Sequence, residues 1–188
     1  MNAAAPRPTR ADALQNLSTL IVAARTVFAR SGVDAPAREI AAEAGVGVGT
    51  LYRHFPNRAA LVAAVFTSEI DATAAAAADL LTEHDAGTAL DLWVTRFTEF
   101  VATKQGLSAA LRSGDPAFDS LPAAFTSTLG PAIRSLLEAA EEEGAIRAGV
   151  DPLELLQAIG DLSHRAPSAD GSPNPMVRLL LDGLRLRS

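Results

Sequence analysis

Thr50, Tyr52, Arg53 and His54 bring a hydroxyl, a phenol, a guanidinium and an imidazole to one short stretch of chain. Such groups hydrogen-bond to phosphate oxygens and base edges, which is the chemistry of nucleic-acid contact rather than of bond making. Around them, residues 35–58 read as two short helices joined by a tight turn. Ala41 is small enough for the two axes to approach, and Gly45 accepts the positive φ of a sharp helix exit. Ile40, Ala44, Val46, Leu51 and Phe55 would pack the pair together and leave the four polar residues outward. That is the logic of a helix-turn-helix, whose second helix lies in the major groove of DNA.

The elements that must hold this pair are legible on either side. Residues 1–10 carry two Pro and two Arg without apolar periodicity and read as an arm. A helix is expected over 11–30, with Leu14, Leu17, Ile21, Ala24 and Phe28 on one face, stopped by Ser31-Gly32. The pair follows at 36–44 and 48–54. Pro56-Asn57 breaks the chain, and Asn57 caps a long helix reaching residue 81. We therefore expect a DNA-binding domain over 1–56 and a helical regulatory domain over 57–188, joined by helix rather than tether.

Charge is divided in the same way. The formal net charge is −6, which is unusual for a DNA binder. Residues 1–66 hold seven Arg against four acids, giving +3, and residues 67–188 hold nine Lys/Arg against eighteen acids, giving −9. Local positive surface, not whole-chain charge, attracts phosphate. The absence of Cys excludes disulfide frameworks and thiolate metal sites. No uninterrupted apolar run of roughly 18–20 residues marks a membrane span, and MNAAAPRPTR lacks the apolar core of a signal peptide.

The body reads as all-helical: 88–103, a short piece at 106–112, one kinked helix or two over 118–143, then 152–164 behind Asp151, and 175–185. No strand is expected. Leu153, Leu155, Leu156, Ile159 and Leu162, then Met176, Val177, Leu179, Leu180, Leu181 and Leu184, cover too much circumference for helices with one wet face. Leu153, Leu156, Ile159, Met176, Leu180 and Leu184 are the expected homodimer interface, since a broad apolar terminus is wrapped by its own domain or buried on a partner.

Over about residues 11–66 the chain resembles the TetR family of bacterial one-component repressors. The resemblance rests on FARSGVDAPAREIAAEAGV followed by GVGTLYRHFPNRAALVAAVF; ATKQGLSAAL and EGAIRAGVDPLELL look like one branch of the family's regulatory domains. It implies an all-α fold of about nine helices: an N-terminal three-helix DNA-binding domain with its helix-turn-helix, a long connecting helix, and an all-helical domain for ligand binding and dimerisation. Carried over by position, Thr50, Tyr52 and His54 touch phosphates or base edges, and Tyr52 offers a ring for thymine methyls and a hydroxyl for phosphate. Val48 and Gly49 present backbone N–H groups to phosphate. Arg58 matches a position, usually Lys, that clamps the backbone, and Arg53 is placed to read guanine. Arg38 and Arg10 add positive charge, although the arm is sparse in it. Gly47 stands where the family often has Ser or Thr, which removes one polar contact.

Each assignment has a plainer rival. Tyr52 and Phe55 could both be core, and Arg53 and Arg58 could be solvated helix charges. Glu138, Glu141, Glu142 and Glu143 read as a solvated acidic face. His84 and His164 lack ligand spacing, so no metal and no cofactor is expected. Asp161 and His164, a turn apart, could pair structurally, or His164 could line a pocket. Trp93, Phe97, Phe100, Leu111, Phe118 and Phe125 are ordinary core or the wall of an apolar ligand pocket. No catalytic constellation is present, and the chain is not expected to be an enzyme.

These readings converge on a ligand-responsive transcriptional regulator, a repressor that binds a pseudo-palindromic operator as a homodimer and is released by a small apolar or aromatic ligand. Its expected partners are double-stranded DNA, a second copy of itself and that ligand, in a bacterial cytoplasm at the nucleoid. The alternatives are a helical carrier of hydrophobic ligands and an architectural DNA binder without ligand control.

Overall fold

The computed structural model describes residues 10–105, 114–163 and 174–186, with side chains from Gln15 to Val101 in the first stretch. Its described α-helices are α1 (Arg10–Ser31), α2 (Ala37–Glu43), α3 (Val48–His54), α4 (Arg58–Glu83), α5 (Ala86–Gln105), α6 (Leu121–Glu142), α7 (Pro152–Ser163) and α8 (Pro175–Leu184), with a 3-10 turn at Pro116–Phe118. The fold is all-α, and the chain packs as two units that divide between Val65 and Phe66. The domain boundary expected after residue 56 lies just before α4, which begins at Arg58. The first two turns of that helix give Leu61 and Val65 to the N-terminal core.

In the N-terminal unit α1 buries Leu20, Ala24 and Val27, flanked by the partly buried Leu17, Ile21 and Phe28. The expected face was thus one row off centre, because two neighbouring rows of α1 satisfy the same three-or-four spacing. Seven-residue α2 is too short to hold itself in water and is fixed by burial of Ile40 and Ala41. It ends in a Schellman motif: Gly45 N–H donates to the Ala42 carbonyl at 3.1 Å and Val46 N–H to that of Ala41 at 2.9 Å. Gly45 takes φ +67° there, which a Cβ would oppose. Asn57 caps α4, its Oδ1 accepting from Ala60 N–H at 2.8 Å. By length and composition α4 could cross a membrane (mean hydropathy 1.4). Much of that hydropathy is alanine, however, and Leu61, Val62, Val65, Phe66 and Ile70 are buried while Leu80 and Leu81 are half-buried.

In the C-terminal unit α5 packs on α6 and α7, α6 on α7, and α7 on α8. Trp93 and Phe97 of α5 are fully buried and stacked, with centroids 5.6 Å apart and planes 10° apart. Trp93 Nε1–H donates to the Thr73 carbonyl at 2.8 Å, satisfying the polar end of a buried indole. Pro131 lies inside α6, which continues through it as one helix rather than two. Beside it, buried Gly130 lets α7 approach: a Cβ there would stand 3.1 Å from Leu153 Cδ2.

Two further features escaped the sequence. Within the acidic run, Glu143 Oε2 accepts from Ala86 N–H at 2.8 Å at the start of α5, and Glu141 Oε1 accepts from Gly149 N–H at 3.2 Å. The run is therefore partly structural, not merely solvated. The chain after α8 also pairs with the segment after α6 through one antiparallel bridge, Ile146 with Arg185, while Arg185 forms an ion pair with Asp91.

Candidate nucleic-acid interface

Helix α3 has four rows of residues spaced four apart, and their burial sorts them cleanly. Leu51 and Phe55, at 2% and 5% exposure, face the core. Val48 with Tyr52, and Gly49 with Arg53, face solvent, and Thr50 with His54 lie half-buried between. Tyr52 is 52% exposed, so its ring and hydroxyl are presented outward and the core reading of this residue fails, whereas Phe55 is core. Arg38 of α2 is also exposed; the side chain of Arg10 lies outside the described residues. Helix α3 starts at Gly47 without a side-chain cap. This Gly47 end leaves the exposed backbone of Val48 and Gly49 at the head of the outward face.

Arg58 does more than expected. Its two terminal guanidinium nitrogens donate to the carbonyl oxygens of Val33 and Ala35, in the turn between α1 and α2. Only the planar fork of Arg reaches both at once. In the free protein the expected phosphate clamp therefore grips the protein's own backbone and positions α2 against α4's first turn.

The C-terminal unit holds a cavity of about 560 Å³ between α6 and α7. It is lined by Phe66, Phe118, Leu121, Pro122, Phe125, Thr126, Leu153, Leu156, Gln157, Gly160 and Asp161. Of the expected wall residues Phe118 and Phe125 are present. Trp93, Phe97 and Phe100 are not: they form the buried ring stack behind it, with Phe100 packed on Phe66 at 5.0 Å. Leu111 and His164 lie outside the described residues. The sequence reading missed Phe66, Leu153, Leu156, Gln157 and Asp161 as lining. The last four follow an i, i+3, i+4, i+8 row on α7 that was visible but had no stated partner.

The expected dimer surface also divides. Leu156, Ile159 and Leu184 are buried within their own unit, which removes them from any outer face. Leu153 and Met176 are exposed and Leu180 is half-buried. Leu179 at 60% exposure and Leu186 at 56% extend the apolar surface of α8 and its tail. Helix α8 is short, so burying Val177 and Leu184 inward already fixes which face is left outside.

Comparison with known proteins agrees with this geometry. Residues 20–65 match the family model of bacterial regulatory proteins of the TetR family, and residues 85–186 match the C-terminal domain of SbtR-like transcriptional regulators. No curated protein matches by sequence. Among solved structures, a TetR transcriptional regulator of Streptomyces coelicolor is 32% identical with a TM-score of 0.75, covering 91% of this chain and 99% of that one. A TetR regulatory protein of Mycobacterium vanbaalenii is 35% identical with a TM-score of 0.70, covering 94% and 99%. The regulator RolR, solved with resorcinol, shares the fold at 22% identity and a TM-score of 0.60, covering 94% and 90%. With its helix-turn-helix, its helical body and these two matches in order along the sequence, the chain belongs to the TetR family of transcriptional regulators.

Proposed function

We propose that the protein is a ligand-responsive repressor that binds a pseudo-palindromic operator as a homodimer and leaves it when a small molecule occupies the body cavity. The outward face of α3, with Val48, Gly49, Tyr52 and Arg53 clear of the core, is the observation that carries the DNA reading. In this reading Tyr52, Arg53, Thr50 and His54 meet phosphates and base edges, with Arg38, and Arg10 in the arm, supplying further phosphate contacts. The second copy packs on the exposed apolar residues Leu153 of α7 and Met176 and Leu179 of α8, with the half-buried Leu180 beside them. Two-fold symmetry then presents two α3 helices to successive turns of one face of the duplex. The protein acts in the cytoplasm, at the nucleoid.

Ligand control rests on the cavity, which argues against an architectural DNA binder with a solid body. A ligand can shift DNA affinity only by its differential binding to the DNA-competent and incompetent states. Selection of bound duplexes from random DNA, followed by sequencing, tests the whole reading. An enriched inverted repeat is the expected result; folded dimer that enriches no sequence would overturn it.

A further inference from the structure

From the lining of the body cavity we infer that its ligand is a lipophilic organic cation, a tertiary or quaternary ammonium carrying an apolar or aromatic group. The inference rests on the ligand-responsive reading above and names the chemical class. Three phenylalanines from separate elements line the space: Phe66 of α4, Phe118 of the 3-10 turn and Phe125 of α6. Two of the rings are held from behind, Phe66 by Phe100 at 5.0 Å and Phe125 by Phe97 at 5.9 Å between centroids. Rings so held cost little further ordering, and any π face they turn to the cavity attracts a cation through the ring quadrupole.

Charge points the same way. Among the described residues that line the cavity, Asp161 is the one charged side chain, and it sits exposed on α7. The other polar groups, Thr126 and Gln157, are neutral. An anionic ligand entering this space would meet a carboxylate and no described cation, and an unpaired charge out of water is costly. An alkylated ammonium needs no hydrogen-bond acceptor deep inside: its hydrocarbon packs on Leu121, Leu156 and the rings while its charge faces Asp161. The surplus of acids in residues 67–188, eighteen against nine Lys/Arg, adds a long-range attraction for the same sign. At about 560 Å³ the cavity falls in the ordinary range for small-molecule sites, roughly 300–1,000 Å³.

Calorimetric titration of the full chain with phenylbutyl-trimethylammonium, phenylbutanol and phenylbutyrate separates charge from shape. The ammonium should bind at least about tenfold more tightly than the alcohol, and phenylbutyrate should bind weakest. Asp161→Asn should cost the ammonium about three- to fivefold while leaving the alcohol essentially unchanged, and Phe125→Leu should also penalise the ammonium more than the alcohol. Equal affinity for ammonium and alcohol, preference for phenylbutyrate, binding of none of the three, or an ammonium affinity indifferent to Asp161→Asn each overturns the class. Release of the selected operator duplex, followed by fluorescence anisotropy, is read separately. An ammonium that binds without releasing DNA sinks ligand control and leaves the cation site standing. Release by phenylbutyrate alone does the reverse.

Discussion

Val65 and Phe66 are consecutive residues of α4, yet Val65 is buried in the core of the N-terminal unit and Phe66 lines the cavity of the C-terminal one. One helical step turns a side chain by about 100°, so the two can serve separate cores without any break in the backbone. A single peptide unit separates the two side chains. If the proposed ligand control holds, that adjacency offers it a covalent route from the cavity to the N-terminal unit.

Phe66→Leu keeps the site apolar but removes the ring. Operator affinity without ligand should stay within about threefold of the parent, because Phe66 is outside the N-terminal core. The ratio of operator affinities without and with saturating ligand should fall by about fivefold or more. Paired anisotropy titrations measure both quantities, and an unchanged ratio would disconnect Phe66 from the response.

Tyr52→Ala and Leu51→Ala should part company although they are neighbours. The first removes an exposed ring, so thermal stability should change by no more than about 0.5 kcal/mol while operator affinity drops by about tenfold or more. The second empties a core position and should cost about 2–5 kcal/mol of stability. Thermal melts beside DNA titrations check the contrast; comparable unfolding in both variants would return Tyr52 to the core.

Arg58→Lys tests whether the fork or the charge matters. Lysine keeps the charge but cannot reach the Val33 and Ala35 carbonyls together, so about 1 kcal/mol of stability should be lost, the bonds being partly solvent-exposed. If Arg58 also meets a phosphate on DNA, Arg58→Ala should flatten the plot of log affinity against log salt by about one unit, and Arg58→Lys should restore that slope.

Gly130→Ala should stabilise the body slightly despite the close approach of Leu153. Replacing a mid-helix glycine gains about 0.5–1 kcal/mol. The clash, at 3.1 Å, falls on Cδ2 at the end of the flexible Leu153 side chain rather than on backbone. A higher melting temperature with altered affinity for cavity ligands is expected. A lower one would mean that the α6–α7 spacing is rigidly set at this glycine.

Asp85 and Asp91 should bend the acid limb of the stability curve in opposite senses. Hydrogen bonds from the Thr88 backbone and hydroxyl hold the Asp85 carboxyl below its ordinary 3.8. Its contribution is present above that value and is lost as pH falls through the lowered one. Burial raises the Asp91 carboxyl above 3.8, with Arg185 opposing the rise. Its contribution is full below 3.8 and is lost as pH climbs through the raised value. Asp85→Asn should therefore hurt more at pH ~6 than at pH ~3, and Asp91→Asn should hurt less at pH ~6 than at pH ~3, in thermal melts across that window.

What could be read from the chain alone follows the range of the forces involved. The turn at Gly45, the caps at Asn57 and Asp151, and the inward row of Leu51 and Phe55 depend on residues within a turn or two of each other, and the structure has them. The cavity does not work that way. Its walls meet because Gly130 admits Leu153 and because Phe66 reaches it from α4, neither of which is a local pattern. Large aromatics were natural wall candidates, but Trp93 and Phe97 satisfy themselves by stacking and by one buried hydrogen bond. Leu156 and Ile159 are apolar for the sake of their own unit, and no periodicity distinguishes that from apolarity kept for a partner. Glu143 looked idle until the start of α5 arrived beside it.

The chain contains one tryptophan and one tyrosine, and the fold assigns them to different tasks. Trp93 lies sealed in the body, stacked on Phe97, which itself touches the cavity-lining Phe125; Tyr52 stands in solvent on α3. The two units thus carry separate fluorophores. Selective excitation of the indole should give the blue-shifted emission of a dry environment and report melting of the body, and under the proposed function it would report filling of the cavity while quenching of the phenol would report arrival of DNA. Both events can thus be followed in one cuvette on unmodified protein.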